Sequence, residues 1–153
     1  MEMQQKDLTQ KQAEECIFCK IAAHRISAEI IYEDKSVVAF LDIHPRAPAH
    51  TVVIPKIHAA TLLDLPDKEL QPLFAAAKKI VRALLSAVAA DGMTIGINHG
   101  EAAGQAISHL HIHLMPRFQG DGGGSLHSVV HNIPREPIAT LAARVRKVVQ
   151  SLP

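Results

Sequence analysis

The stretch His109-Leu110-His111-Ile112-His113-Leu114-Met115 decides how the rest of the chain is read. Imidazole and apolar side chains alternate in it at period two, the pattern of a strand with two unlike faces. On such a strand the three imidazoles stand along one face, and Leu110, Ile112 and Leu114 press into a core on the other. Histidine is a poor filler for a half-buried strand, because it is not a strong strand former. Three in register point to a site that uses imidazole as nucleophile, proton carrier or metal ligand.

Outward from this strand, the elements fall into place by their periods. Arg117 to Ser125 holds four glycines and reads as a flexible loop; a final amphipathic helix follows from about Glu136 to Ser151, with Ile138, Leu141, Ala142, Val145 and Val149 inward. Before the histidines, His99 to Gly104 is a loop and Met93 to Asn98 alternates as a strand. Leu70, Leu73, Phe74, Ala77, Val81, Leu84, Leu85 and Val88 recur at helical spacing, with Asp67 as N-cap, Gly92 as stop and Pro72 disturbing the first turn. His50 to Pro55 is a strand ended by its proline. Ala28 to Leu41 is a hairpin turning at Glu33 to Ser36, and Cys16 to Ile21 is a short helical turn. Five strands with hairpin connections and one long helix predict an α+β fold: an antiparallel sheet covered by that helix, with a C-terminal helix besides. No repeat or linker divides the chain, so residues 1–15 are expected as a flexible tail and residues 16–153 as one domain.

Composition narrows the function. The chain has 153 residues, 48% of them hydrophobic, with no Trp and one Tyr, so its core is aliphatic. A formal net charge of +1 gives no basic footprint for nucleic acid. No apolar run reaches membrane-spanning length and the polar N-terminus lacks the apolar segment of a secretory signal, so a soluble cytoplasmic protein is expected. Cys16 and Cys19 form a single CxxC, a metal or redox pair in a reducing compartment.

Two chemistries suit the histidines. A central imidazole attacks phosphorus or carbonyl carbon once its other ring nitrogen is hydrogen-bonded, and its neighbours can donate to a phosphoryl oxygen. The Gly100 to Gly104 loop can bring backbone N–H groups to a phosphate. As a metal site the triad alone is strained, since same-face neighbours on a strand lie about 7 Å apart. One histidine joining the CxxC is easier: Cys16 and Cys19 supply two thiolates, and His109 and His50 are candidates for the rest if their strands are adjacent. A pair of reduced thiols without metal remains the alternative.

The histidine stretch matches the alternating motif of the histidine-triad (HIT) superfamily. The likeness extends through Cys16 to Ile21, Phe40 to Ile43, Ala47 to His50, Val53 to Lys56 and Asn98 to Gln105. In that order the chain resembles the bacterial branch akin to nucleoside phosphoramidases and dinucleoside polyphosphate hydrolases. The resemblance implies a HIT-like fold and a purine nucleotide or dinucleotide substrate. His111 would attack its α-phosphate and form a nucleotidyl-histidine that water hydrolyses; His109 and His113 would frame the phosphate, with His50 in support. It implies ribose contact by Asp42, a base pocket of Phe18, Ile21, Phe40 and Ile43, and phosphate contact by Asn98 and Gln105. It further implies one structural zinc on Cys16, Cys19, His50 and His109, and a homodimer joined by the long helices and a sheet edge. Ala106 stands where phosphoramidase relatives carry a serine, which favours substrates with a good leaving group. His113 is not the glutamine of the nucleotidyltransferase branch, which favours hydrolysis over transfer. The alternative of another class is a nucleotide-binding sensor or scaffold with incidental slow hydrolysis. Arg117 is a candidate for a distal phosphate, and His24, His44, His58, His99, His127 and His131 are expected to be solvated.

Overall fold

The computed structural model describes residues 12–153. The expected tail falls mostly outside the described residues; residues 12–15 are helical. The chain divides into two compact units, Met1–Gly123 and Gly124–Pro153.

In the first unit the elements run α1 (Ile17–Ala22), β1 (Ile30–Glu33), β2 (Val37–Leu41), β3 (Thr51–Pro55), α2 (Asp67–Ala87), β4 (Gly92–Gly96) and β5 (Ile112–Arg117). The strands form one sheet in the order β1-β2-β3-β5-β4, antiparallel at every pairing, which gives the α+β fold. The β1–β2 hairpin turns where expected because Asp34 organises it. Its Oδ1 accepts the N–H groups of Ser36 and Val37 at 2.8 Å each, and its Oδ2 accepts the Tyr32 hydroxyl at 2.7 Å. An Asp that bonds the backbone two and three residues on is a turn-former by its own chemistry.

Period two then sorts the sheet into faces. Val37, Ala39, Val53, Leu110, Ile112 and Leu114 meet Leu73, Ala76, Ala77, Ile80 and Leu84 of α2 in the larger core. The other face carries Val38, Phe40, Val52 and Ile54, covered by Ile21 with Phe18 beside it. The long helix starts at Asp67 with Pro66 as its N-cap, one residue from the expected cap. Pro72 lies inside it; its missing N–H removes one bond near the N-terminal end, and the helix runs on to Ala87. Gly92 opens β4, and the helix has ended before it.

The histidine stretch departs from expectation in one respect. β5 begins only at Ile112, so of the three imidazoles only His113 is on the strand. The partner strand explains it: β3 ends at Pro55, which has no N–H to extend the ladder past the Val53–Ile112 pair. Leu110 N–H donates instead to Ala59 O at 2.6 Å, and His109 N–H to Ile107 O at 2.8 Å. The alternation survives the loss of the ladder, with Leu110 in the helix-side core and the rings of His109 and His111 packed against Phe18 on the other side.

In the second unit a 3-10 turn, Leu126–Ser128, precedes α3 (Ile138–Ser151). The helix forms where its period predicts, but its apolar stripe is not an inner face. None of its residues is buried, and Ile138, Val145 and Val149 are 81%, 58% and 60% exposed.

Candidate active site and metal centre

His111 is buried, and its tautomer is fixed by a neighbour two residues away. Its Nδ1–H donates to the backbone carbonyl of His109 at 2.6 Å. Nε2 therefore keeps its lone pair, which is what a nucleophilic imidazole requires. Rings pack edge-on around it: Phe18 at 5.2 Å between centroids and His113 at 4.8 Å.

On the strand side, Arg46 N–H donates to Nδ1 of His50 at 3.2 Å, so the proton of His50 is on Nε2. That Nε2–H donates to Nδ1 of His113 at 3.0 Å, which leaves the proton of His113 on its own Nε2 as a donor. Asp42 Oδ2 lies 3.7 Å from His50 Nε2, while Asp42 Oδ1 accepts His44 N–H at 2.8 Å. Burial holds His50 below the ordinary imidazole value, and burial followed by His111 and His50 holds His113 down to about 4. Both rings are neutral near pH 7. A cleft of about 370 Å³ opens beside Asp42, Arg46 and His50.

A second cluster lies at the other end of the stretch. Sγ of Cys16 and Cys19 lie 3.5 and 3.4 Å from Nδ1 of His109, and Nδ1 of His58 lies 3.3 Å from Sγ of Cys19. All four donor atoms fall within 4.8 Å of one another. A tetrahedral zinc site with ordinary bond lengths has sulfur–nitrogen edges of about 3.6 Å. The tautomer also fits a ligand: His109 Nε2–H donates to Pro55 O at 2.9 Å, which turns the Nδ1 lone pair toward the sulfurs. Burial holds His109 down to about 4, and burial with the adjacent Cys16 pushes the Cys19 thiol up to about 12. Two neighbouring thiolates form there only with a cation to compensate them. Asp42, His50 and His113 also bring three donor atoms together. They suit a metal poorly, because an ion on His50 Nε2 would move that proton to Nδ1, against Arg46 N–H.

The structure thus brings His58, not His50, to the cysteines. The β3–β5 register is the reason. It pairs Thr51 with Leu114 and Val53 with Ile112, so His50 lies toward His113, and the chain past Pro55 runs toward His109. The strands are adjacent, the condition on which His50 was a candidate, but their opposed directions exchange the two histidines. Had that direction been applied to the sequence, it would have found His58, two residues beyond the Ile-Pro-Lys that ends the strand. His109 likewise turns its ring to the cysteines and away from the His111–His113 side, and acts on His111 through its carbonyl.

The other expected contacts divide. Phe18 and Phe40 pack edge-on at 5.4 Å, with Phe40 and Ile21 buried beneath, and Ile43 is 80% exposed. Asn98 Nδ2 reaches Gly104 O at 3.5 Å. Gln105 spends its amide inside the chain, as detailed below. The guanidinium of Arg117 is gripped by Asp121, Nε to Oδ2 at 2.7 Å and Nη2 to Oδ1 at 2.8 Å, and Nη1 donates to Thr94 Oγ1 at 3.1 Å.

The neutral histidines set a pH dependence. The folded values of His50 and His113 lie below the ordinary imidazole value of about 6.5, so the unfolded chain binds more protons between the two. Their contribution is full above about pH 6.5 and is lost as pH falls below it, down to about 4 for His113. Urea unfolding should give a lower midpoint at pH 5 than at pH 7.5; an equal or higher midpoint at pH 5 contradicts the assignment of neutral rings.

An antiparallel sheet carrying a buried imidazole of fixed tautomer, with a second imidazole pair beside it, defines a histidine-triad domain. The HIT domain profile matches residues 23–120, and the chain belongs to that family. An uncharacterized HIT-like protein of Methanocaldococcus jannaschii is 42% identical over 123 residues, 80% of this chain and 95% of that protein. Among solved structures, a histidine triad nucleotide-binding protein from Candida albicans superposes with a TM-score of 0.74 at 29% identity, over 89% of this chain and 96% of its own. A zinc-bound histidine triad family protein from Mycobacterium smegmatis superposes with a TM-score of 0.68 at 32% identity, over 92% and 99%. HIT proteins are in general nucleotide hydrolases and nucleotide-binding proteins. No helix among the described residues is long and apolar enough to cross a membrane.

Proposed function

We propose that this chain hydrolyses purine nucleotide derivatives at the α-phosphate through a nucleotidyl intermediate on His111. The observation that carries the reading is the 2.6 Å bond from His111 Nδ1–H to the His109 carbonyl, which presents a lone pair at Nε2. In the proposed reaction Nε2 attacks phosphorus and the leaving group departs. Water then attacks the same phosphorus, and the P–N bond breaks to return the electron pair to Nε2. His113, with its Nε2 proton fixed by the His50 relay, donates to a phosphoryl oxygen. Asp42 accepts from the ribose hydroxyls at the cleft it borders, and Phe18 forms the apolar wall for the base. Ala106 offers no hydroxyl to a departing group, so a polyphosphate leaves more readily than an amine.

Zinc on Cys16, Cys19, His58 and His109 belongs to the same reading. Four protein ligands leave no open position, so its part is structural. The test of function is steady-state turnover of diadenosine tetraphosphate beside a fluorogenic adenosine phosphoramidate. Turnover of the former above the latter supports the reading. Tight nucleotide binding with negligible turnover of both would assign the chain to the sensor class.

The proposed assembly is a homodimer. Phe74 and Ile95 are 47% and 53% exposed and border a groove of about 360 Å³ with Val81, between α2 and the open edge strand β4. Ala76 and Ala77 of the same helix are buried in the chain's own core. An open sheet edge beside exposed apolar groups calls for cover. Light scattering at micromolar concentration should give twice the chain's 16.6 kDa mass, and a monomer refutes the dimer.

A further inference from the structure

Gln105 occupies a different position from that of a ligand-binding side chain. Its Oε1 accepts Gly100 N–H at 2.8 Å, and its Nε2 donates to Ala60 O at 2.6 Å and to Ile107 O at 3.1 Å. Both amide hydrogens are therefore engaged, and its backbone N–H donates to Gly100 O at 3.2 Å as well. A phosphate can bond to this side chain only by displacing a carbonyl it already holds.

Of the groups it bonds, Gly100 and Ile107 belong to its own loop, five residues before it and two after it, and Ala60 lies 45 residues away in sequence. Gly100 opens the turn that includes Glu101–Ala103 and closes at Gly104, both glycines having positive φ (81° and 86°). Ala60 follows His58 by two residues and Ile107 precedes His109 by two. The nearby bond from Leu110 N–H to Ala59 O, at 2.6 Å, and the edge-on contact of the His58 and His109 rings, at 5.3 Å, also tie those last two segments. One carboxamide thus links the two histidine-bearing segments of the cysteine cluster to the glycine-bounded turn.

We infer that Gln105 is a positioning residue, not a phosphate ligand: it sets the spacing of His58 and His109, and through the His109 carbonyl the placement of His111. This rests on the metal reading above. Outer partners of metal ligands typically change affinity by about 10–100-fold when removed, and Gln105 acts at one remove from the ligands, so about tenfold is expected.

The test uses two variants, Gln105→Ala and Gln105→Met, the second keeping the bulk without the hydrogen bonds. Two quantities are read on the full chain. The first is Co²⁺ affinity, followed by thiolate-to-cobalt absorption. The second is the ratio of adenosine to AMP dissociation constants, which isolates what the phosphate adds to binding. Both variants should bind Co²⁺ about tenfold more weakly while the ratio stays within twofold of wild type. A collapse of the ratio in either variant overturns the proposal, as does unchanged Co²⁺ affinity in both. Absence of the thiolate–cobalt band in the wild type itself would instead remove the metal reading.

Discussion

Replacing His111 with Ala should lower turnover of diadenosine tetraphosphate by at least about ten-thousandfold, the scale seen when a covalent nucleophile is removed. AMP affinity should change by only a few-fold. In the proposed reaction Nε2 of His111 forms the bond to phosphorus, whereas the base wall at Phe18 and the ribose contact at Asp42 would hold the nucleotide through other side chains. Removing a group that acts mainly in the transition state reduces kcat and leaves ground-state binding in place. Acid-stable P–N bonds are not expected, so the wild-type adduct is sought by rapid mild quench and mass analysis, as a nucleotidyl mass on the peptide containing His111. A variant within tenfold of the wild-type rate would exclude covalent attack by this residue.

The second large effect is on the metal. Freshly purified protein should hold close to one equivalent of zinc, and stripping it should lower the melting temperature by about 10 °C. That figure takes about 4 kcal/mol for a ligand present a thousandfold above its Kd, and 2–4 °C per kcal/mol for a chain of this size. The effect should concentrate at α1. Six residues are too few for a helix to hold on its own, and Cys16 and Cys19 flank the phenylalanine that touches His111. Nucleotide affinity should therefore fall along with stability. Cys16→Ser and His58→Ala should each reproduce the loss, while His50→Ala should retain the zinc. Less than about a tenth of an equivalent, with Cys16→Ser unchanged in stability, would leave two ordinary thiols.

The exchange of His50 for His58 shows where sequence reading stops. Hydrophobic patterning located the hairpin, the central strand, the long helix and a strand expected at 93–98 that forms at 92–96. It also separated the histidines from Leu110, Ile112 and Leu114, a division that persists where the ladder does not. Periodicity does not say which strands are neighbours or in what register they pair, and the ligand set depends on both. Gln105 is opaque for a similar reason. An amide that ties its own loop, at Gly100 and Ile107, to a carbonyl 45 residues away has no spacing signature, and only the folded chain brings Ala60 to this side chain. The C-terminal helix shows the converse: its amphipathic pattern is plain, and burial within its own unit does not follow from it.

The pairing of β3 with β5 has a consequence for how the chain finds its fold. Sliding one strand past the other by two positions keeps every side chain on its own face, so aliphatic burial discriminates weakly among such alignments. The imidazoles discriminate strongly. The observed pairing of Val52 with His113 is the one that brings His50 to His113 at one end and the His58 segment to His109 at the other. In a slipped alignment the relay would be broken and the cysteines would face an incomplete ligand set. A cation held by all four donors, as proposed, would then act as a proofreader of strand alignment, rewarding one of several near-degenerate arrangements during folding.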